Sequence, residues 1–384
     1  MLQHESAPKR IFKVLTRRRN PVDGMLVAVL IMLLSAGLLV LFSATYYNAQ
    51  DAGNPLSEVL RQLFGVALGT VACVVTSRIP YRLWRQTWVV AMGLIVSAIL
   101  LVLVIIPGIG VYINGSRRWL VLAGVSFQPS ELAKFAIVLY MATVLSRTGP
   151  RIRSLWRGIV PILIVPGITF LLILEQPNLS TAGSIMIVAL ILIIMAGAKW
   201  RHILLMLAGG LCVGGFYAWS EPYRRRRLLS FRNPFAMMSD EGYQLSQSLI
   251  AFGSGGLFGM GLGQGRQKYA YLPYPESDFI FAIVGEDFGL LGCCAVVALF
   301  VCLMIAGFRV AVTCREKFGT LLAAGITASI TVQAFLNMGV VVGILPTTGL
   351  PLPFFSAGGT SVSITMAAMG VLMNISRTAG KMDA

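Results

Sequence analysis

Asp278 stands at the mouth of a long apolar run, in the stretch 271–292 (YLPYPESDFIFAIVGEDFGLLG). Pro273 and Pro275 supply turn chemistry, and Glu276 and Ser277 come just before the aspartate. Ionisable groups at the edge of lipid usually face a cavity or a water-filled cleft and carry function. A carboxylate there can take the proton of an attacking hydroxyl as a general base. A second reading is local: Ser277 or Asp278 caps a helix beginning at Phe279, where unbonded backbone N–H groups favour a carboxylate. The residues alone leave both open. Glu286 follows eight positions later, about 12 Å further along a regular helix and roughly 80° around it. The two carboxylates are therefore a close pair only if the helix breaks at Gly285 or a third group bridges them.

The cations with a chemical use are Arg117 and Arg118, next to Trp119; the run Arg224 to Arg227 with Arg232; and Arg266 and Lys268, just ahead of Asp278. Convergent Arg and Lys side chains suit an anionic ligand, a phosphate above all; their bland alternative is contact with lipid head groups. Glu131 and Lys134 are three residues apart, the spacing of a local ion pair that lets both enter a membrane. Gln333 and Asn337 share a helix face, as interhelical hydrogen-bonding residues do. The glycine-rich stretch 253–265 (GSGGLFGMGLGQG) lacks the Gly-Lys-Ser/Thr of a phosphate loop and has no surrounding strand–turn–helix unit. It reads as a flexible, closely packed loop. The two histidines, His4 and His202, stand on the side away from Asp278, so no outside Ser/Thr–His pair is available.

The elements that must position these residues are membrane helices. The chain has 384 residues, 57% of them hydrophobic and only 12% charged, with a mean hydropathy of +0.80. That composition excludes an ordinary soluble globule. Ten apolar runs are expected to span, at residues 25–42, 59–76, 88–106, 131–145, 159–174, 181–196, 203–219, 279–308, 318–342 and 358–375. The expected fold is an all-α polytopic membrane protein with ten transmembrane helices and both termini cytoplasmic. One long extracytoplasmic loop, 220–278, joins helices 7 and 8. A basic cytoplasmic tail at 1–23 precedes the membrane domain at 24–376, and a short cytoplasmic tail at 377–384 follows. With the amino terminus inside, every inside loop is basic, which accounts for most of the formal net charge of +16 without nucleic acid. The exceptions to that rule are Arg117–Arg118, the arginine run and the Arg266–Lys268 pair, all outside. The six cysteines fall in spans or a short basic loop, so no disulfide framework is expected.

Five ordered segments resemble one family together: NGSRRWL at 114–120, FQPSELAKF at 127–135, GYQLSQS at 242–248, YLP at 271–273 through DFIF at 278–281, and LPTTGLPLP at 345–353. They are similar to the SEDS family (shape, elongation, division and sporulation proteins: FtsW, RodA and SpoVE), over nearly the whole chain from the first span to Arg377. The run GLGQGRQKY ahead of YLP is more similar to the FtsW or SpoVE branch than to RodA. The resemblance implies an inverting peptidoglycan glycosyltransferase in the bacterial cytoplasmic membrane, at the division septum. It would polymerise lipid II, an undecaprenyl-pyrophosphate-linked disaccharide-pentapeptide, at the outer face. A class B penicillin-binding protein and other division-complex membrane proteins would be its partners. No cofactor is certain; a divalent cation (Mg or Mn) on the pyrophosphate remains open, with no metal residues assigned. The family's essential aspartate falls on Asp278, its Arg-Arg-Trp motif on Arg117, Arg118 and Trp119, and its Ser-Glu-x-x-Lys motif on Ser130, Glu131 and Lys134. Lys268 and Glu286 complete the expected substrate-binding set. The chain departs from the family at Glu276-Ser277 (often His-Thr), at Gln176-Pro177-Asn178 (often Gln-Pro-Asp) and at residues 356–360 (often Ser-Tyr-Gly-Gly-Ser). The competing readings are a lipid II flippase or other transporter, whose charged site would lie near the midplane, and a division scaffold.

Overall fold

The computed structural model describes residues 21–51, 56–113, 116–122, 125–220, 225–226, 229–238, 242–269 and 271–379. The basic tail at 1–20 and Arg224 and Arg227 of the arginine run lie outside them. The long helices, in chain order, are α1 (Gly24–Asp51), α2 (Ser57–Arg78), α3 (Thr87–Ile105), α4 (Pro129–Thr148), α5 (Val160–Leu174), α6 (Leu179–Met195), α7 (Trp200–Ser220), α8 (Tyr243–Gly255), α9 (Ile280–Thr313), α10 (Lys317–Val341) and α11 (Gly359–Ala379). Eight helices among the described residues are long and apolar enough to cross a membrane. The other two expected spans are also helices, α6 with 17 residues and α7 with 21. A helix gains 1.5 Å per residue, so about 20 residues cross the hydrocarbon core.

The all-helical expectation is corrected at one place. Residues expected as a plain loop after the third span form a three-stranded antiparallel sheet: β1 (Gly110–Ile113), β2 (Ser116–Leu122) and β3 (Val125–Phe127), in the order β1-β2-β3. The β-branched and aromatic residues Val111, Ile113, Trp119, Val121, Val125 and Phe127 favour extended pairing, and the sequence carries the favoured hairpin dipeptide Asn114-Gly115.

α10 is the most enclosed of the spanning helices. Its buried face alternates small residues with Thr327, Thr331, Gln333 and Asn337. α2 and α11 lie side by side, and polar groups bond backbone across the seam: Ser363 Oγ donates to the Gly65 carbonyl at 2.7 Å and Thr76 Oγ1 to that of Ala367 at 2.8 Å. Such side-chain-to-backbone bonds join helices where lipid gives no hydrophobic drive.

α9 is 34 residues long but breaks inside, where Gly289 adopts φ +65° and ψ −162°. The 24 residues from Leu290 to Thr313 suffice by length to cross, roughly 36 Å at the helical rise. The first turns, Ile280 to Asp287, are buried in the protein instead. The glycine-rich stretch explains how the break is tolerated. Met260 N–H donates to the Glu286 carbonyl at 2.9 Å and Gly261 N–H to that of Asp287 at 3.1 Å, while Leu290 N–H donates to Gly256 at 2.9 Å. The kink's freed backbone groups are thus satisfied by the loop, as an interrupted membrane helix requires. This needs close backbone approach: a Cβ on Gly289 would stand 2.4 Å from the Gly259 amide nitrogen. The break falls three residues beyond Glu286, not at Gly285.

Candidate functional site

Helix α9 begins with Phe279 at its cap position and no side-chain cap. Asp278 sits one residue ahead, half-buried, in a turn segment docked on the connection between α10 and α11. The docking is polar. Ser356 Oγ donates to the Ser277 carbonyl and accepts from Leu352 N–H at 2.8 Å, and Ala357 N–H donates to the Glu276 carbonyl at 2.8 Å. Asn337 Nδ2 donates to the carbonyls of both Asp278 and Leu350, each at 2.6 Å. Gln333 Nε2 donates to Pro351 at 2.8 Å. Gln333 and Asn337 thus bind the connecting loop and the Asp278 backbone to α10, and Gln333 Oε1 also makes the expected interhelical bond, accepting from Lys134 of α4.

The sheet delivers the cation. Val111 pairs with Trp119 and Tyr112 with Arg117, so Arg118 is the extra residue of a β-bulge. A bulge re-aims a side chain and is over-represented beside active sites. Arg118 Nε donates to the Gln176 carbonyl at 3.1 Å, and Nη2 donates to that of Pro177. Its Nη1 and Asp278 Oδ2 meet at Gly349: a Cβ there would lie 3.9 Å from the first and 3.5 Å from the second. Gly349 has φ +69°, a conformation glycine adopts without strain. A carboxylate and a guanidinium from segments 160 positions apart therefore converge on one backbone point. Arg117 goes elsewhere, its guanidinium 5.7 Å from the centre of the exposed Tyr112 ring, a cross-strand cation–π contact. Trp119 is half-buried on the same strand.

Other predicted site residues have protein partners. Lys134 Nζ lies 2.8 Å from Glu131 Oε1, with both buried, and also donates to Gln333 Oε1. The pair borders a cavity of about 30 Å³, room for a water, between α4, α10 and α11. It therefore touches the Asp278 group indirectly, through Gln333. Lys268 is 2% exposed. Its Nζ bonds Asp287 at 3.1 and 3.3 Å and Ser43 of α1 at 2.9 Å. Glu286 is 1% exposed and accepts from the amides of Arg266, at 2.6 Å, and Gln267, at 3.1 and 3.2 Å. These two side chains hold the glycine-rich loop to the α9 break. The structure does not bring them to Asp278.

Sequence reasoning singled out no role for four residues that build this site. Gln176 and Pro177 present carbonyls to Arg118, and Asn178 caps α6 by accepting from Thr181 N–H at 3.3 Å. Asn and Asp cap equally well, so Asn where the family often has Asp keeps that turn. Glu276 is the fourth. Burial raises its carboxyl above the ordinary range, and Glu58 and Asp278 nearby raise it further; Oε2 is buried without a hydrogen-bond partner. Among the described residues, buried oxygens in the same state include Gln176 Oε1, Asn337 Oδ1 and Thr347 Oγ1, so the surroundings of Asp278 are polar.

Comparison with known proteins follows the same geography. Residues 24–381 match the family model FtsW/RodA/SpoVE, described as cell cycle protein. The chain is 39% identical to stage V sporulation protein E of Bacillus subtilis over 370 residues, covering 94% of this chain and 99% of that one. It is 41% identical to a probable peptidoglycan glycosyltransferase FtsW of Geobacter sulfurreducens over 317 residues, covering 82% and 84%. Among solved structures it is similar to a chain from work on the structural coordination of polymerization and crosslinking by a peptidoglycan synthase complex. That similarity has a TM-score of 0.78 and 26% identity, covering 94% of this chain and 99% of that one. The rod shape determining protein RodA of Thermus thermophilus is similar with a TM-score of 0.68 and 26% identity, covering 94% and 98%.

Proposed function

The chain belongs to the FtsW, RodA and SpoVE family, in its FtsW/SpoVE branch, and from that premise we propose that it is a peptidoglycan glycosyltransferase polymerising lipid II. It is a multi-pass membrane protein; in this reading ten helices cross, both termini are cytoplasmic, and the Asp278 group opens on the outer face. The observation that carries the reading is the meeting of Asp278 and Arg118 at Gly349. It is supported by the relatives named as probable peptidoglycan glycosyltransferases.

The chemistry needs few parts. The acceptor's sugar hydroxyl attacks the anomeric carbon of the donor, and its proton passes to the Asp278 carboxylate as the new glycosidic C–O bond forms. On the opposite side the bond to the pyrophosphate oxygen breaks, and the lipid pyrophosphate leaves with its electron pair. Attack on one face with one base inverts the anomeric centre and forms no covalent sugar–enzyme intermediate. Arg118 shares the neighbourhood of Gly349 with the base and stabilises the charge developing on the pyrophosphate. Arg117, over the Tyr112 ring, assists in holding the anionic lipid. Trp119 and the Glu131–Lys134 pair support the sheet and the α4–α10 seam, and Lys268 and Glu286 support the broken α9. Among the described residues no group of three or more His, Cys, Asp or Glu side chains could hold a metal ion. A magnesium or manganese ion would therefore rest mainly on the substrate's phosphate oxygens, and no step is routed through one. The partner in this reading is a class B penicillin-binding protein, with other division-complex membrane proteins, at the septum.

The test is purified protein in vesicles with labelled lipid II, alone and with its class B penicillin-binding protein. Long glycan at the face bearing Asp278 supports the polymerase. Movement of lipid II across the bilayer without glycan would replace this reading with the transporter.

A further inference from the structure

At the end of the bundle away from Asp278, an open depression of about 780 Å³ is lined by Arg82, Arg85 and Arg147 together with Gln86, Thr87 and Trp88. We propose that this is a binding site for the anionic phosphate headgroup of a membrane phospholipid. The volume falls in the range of small-molecule pockets, about 300–1,000 Å³. The arginines come from two elements: the turn between α2 and α3, which includes the short helix Tyr81–Trp84, and the last turn of α4. Arg147 is held over that turn, its Nη2 donating to the Arg85 carbonyl at 3.4 Å. Arg82 is bonded to Glu316, which lies outside the depression's lining, so one of the three charges has an acidic neighbour. The residues lining the depression include no acid.

The positive-inside rule explains why arginines stand on this side, but not why they converge. Like charges sharing one depression repel, and an anion between them offsets that. Guanidinium forks match phosphate oxygens bidentately, and basic pockets at the cytoplasmic ends of membrane helices are known lipid-headgroup sites. Trp88 identifies the level. It is 62% exposed, its Nε1 donates to Gln86 Oε1, and it stands at the start of apolar α3. That is the position of an interfacial aromatic, ring toward lipid and N–H toward polar groups. A phosphate beside Arg85 and Arg147 would therefore carry its acyl chains along α3. The Asp278 group is remote: Lys134 and Arg147 are separated by roughly 20 Å of helical rise along α4.

The inference rests on the orientation argued above only for which leaflet is meant. Its experiment reads binding and not glycan synthesis, so it stands or falls separately from the proposed function. Purified protein in detergent would be titrated with phosphatidylglycerol, with phosphatidylcholine and with inorganic phosphate, and bound lipid read by native mass spectrometry. Wild type is expected to bind phosphatidylglycerol, to ignore phosphatidylcholine, and to keep its lipid in millimolar phosphate. Arg85→Gln and Arg147→Gln should each weaken binding about five-fold, by the usual contribution of a basic residue at a membrane surface. Arg85→Lys should lose less, which guards against a variant that merely misfolds. Equal binding by wild type and the double variant would overturn the site. Complete displacement by inorganic phosphate would overturn the lipid as its occupant.

Discussion

At the scale of residues, the account turns on two neighbouring arginines having different work. Arg118 reaches Gly349 and the Gln176–Pro177 carbonyls, while Arg117 lies over Tyr112. Arg118→Gln should lower the polymerisation rate by about 10²-fold or more, the usual loss when one charge-stabilising donor is removed. Arg117→Gln should cost less than about ten-fold, because its contact is an exposed cation–π pair; initial rates on labelled lipid II separate the two. Gly349→Ala should also slow turnover, since it strains a backbone at φ +69° and puts a methyl in contact with both Asp278 and Arg118. Glu276 predicts a pH effect. Its pKa is raised in the folded protein, so the folded state holds the proton more tightly than the unfolded chain. That contribution is present below the ordinary carboxyl value of 4.5 and is lost as pH rises through the raised folded value. Glu276→Gln should therefore melt above wild type at pH 8, with the gap closing as pH falls toward 4.5. A gap independent of pH would contradict a buried carboxyl. Asp278 was legible because an acid beside an apolar run is unusual. The parting of Arg117 from Arg118 was not, because it depends on a bulge register that pairing fixes and spacing does not.

At the scale of elements, hydropathy found the long helices, since nothing else accommodates some twenty apolar residues, but the end of α1 runs nine residues past the expected 42, to Asp51. It missed the sheet at 110–127 because only short strands carry it, although the Asn114-Gly115 pair was a usable signal. It weighed a break in α9 only at Gly285, whereas the break falls at Gly289, beyond Glu286. The glycine-rich stretch was read correctly as closely packed, but its partner was invisible: the loop bonds to backbone more than twenty residues away. Gly289→Ala should destabilise the protein by about 1–3 kcal/mol or more, from a forced close contact plus a strained φ. Gly253→Ala, in exposed helix with nothing within 4 Å of its Cβ, should be neutral or slightly stabilising. Thermal melts of the two in the same detergent check this. Lys268→Met leaves Asp287 buried without its cation and should cost about 3–5 kcal/mol. Adding Asp287→Leu should recover much of that loss. Recovery of stability without recovery of activity would return Lys268 to the substrate.

At the scale of the whole molecule, the account requires one end of the bundle to carry the Asp278–Arg118 group and the other the arginines of the positive-inside loops. In a cysteine-free background, a membrane-impermeant thiol reagent should label Met237→Cys from outside intact cells and leave Arg315→Cys unlabelled until the cells are opened. The reverse pattern would invert the molecule and remove its access to a lipid-linked substrate displayed outside. The central claim is that Asp278 performs the chemistry at that outer end. Its most direct test is the initial rate of glycan formation from labelled lipid II by wild type and Asp278→Asn, each purified with the class B penicillin-binding protein, after melting and partner binding are shown to match. Asn keeps the size of Asp and removes its charge. The account predicts a loss of about 10²–10⁴-fold, the usual worth of general-base help. Equal rates would contradict it, and would leave Asp278 as a residue that only shapes the start of α9.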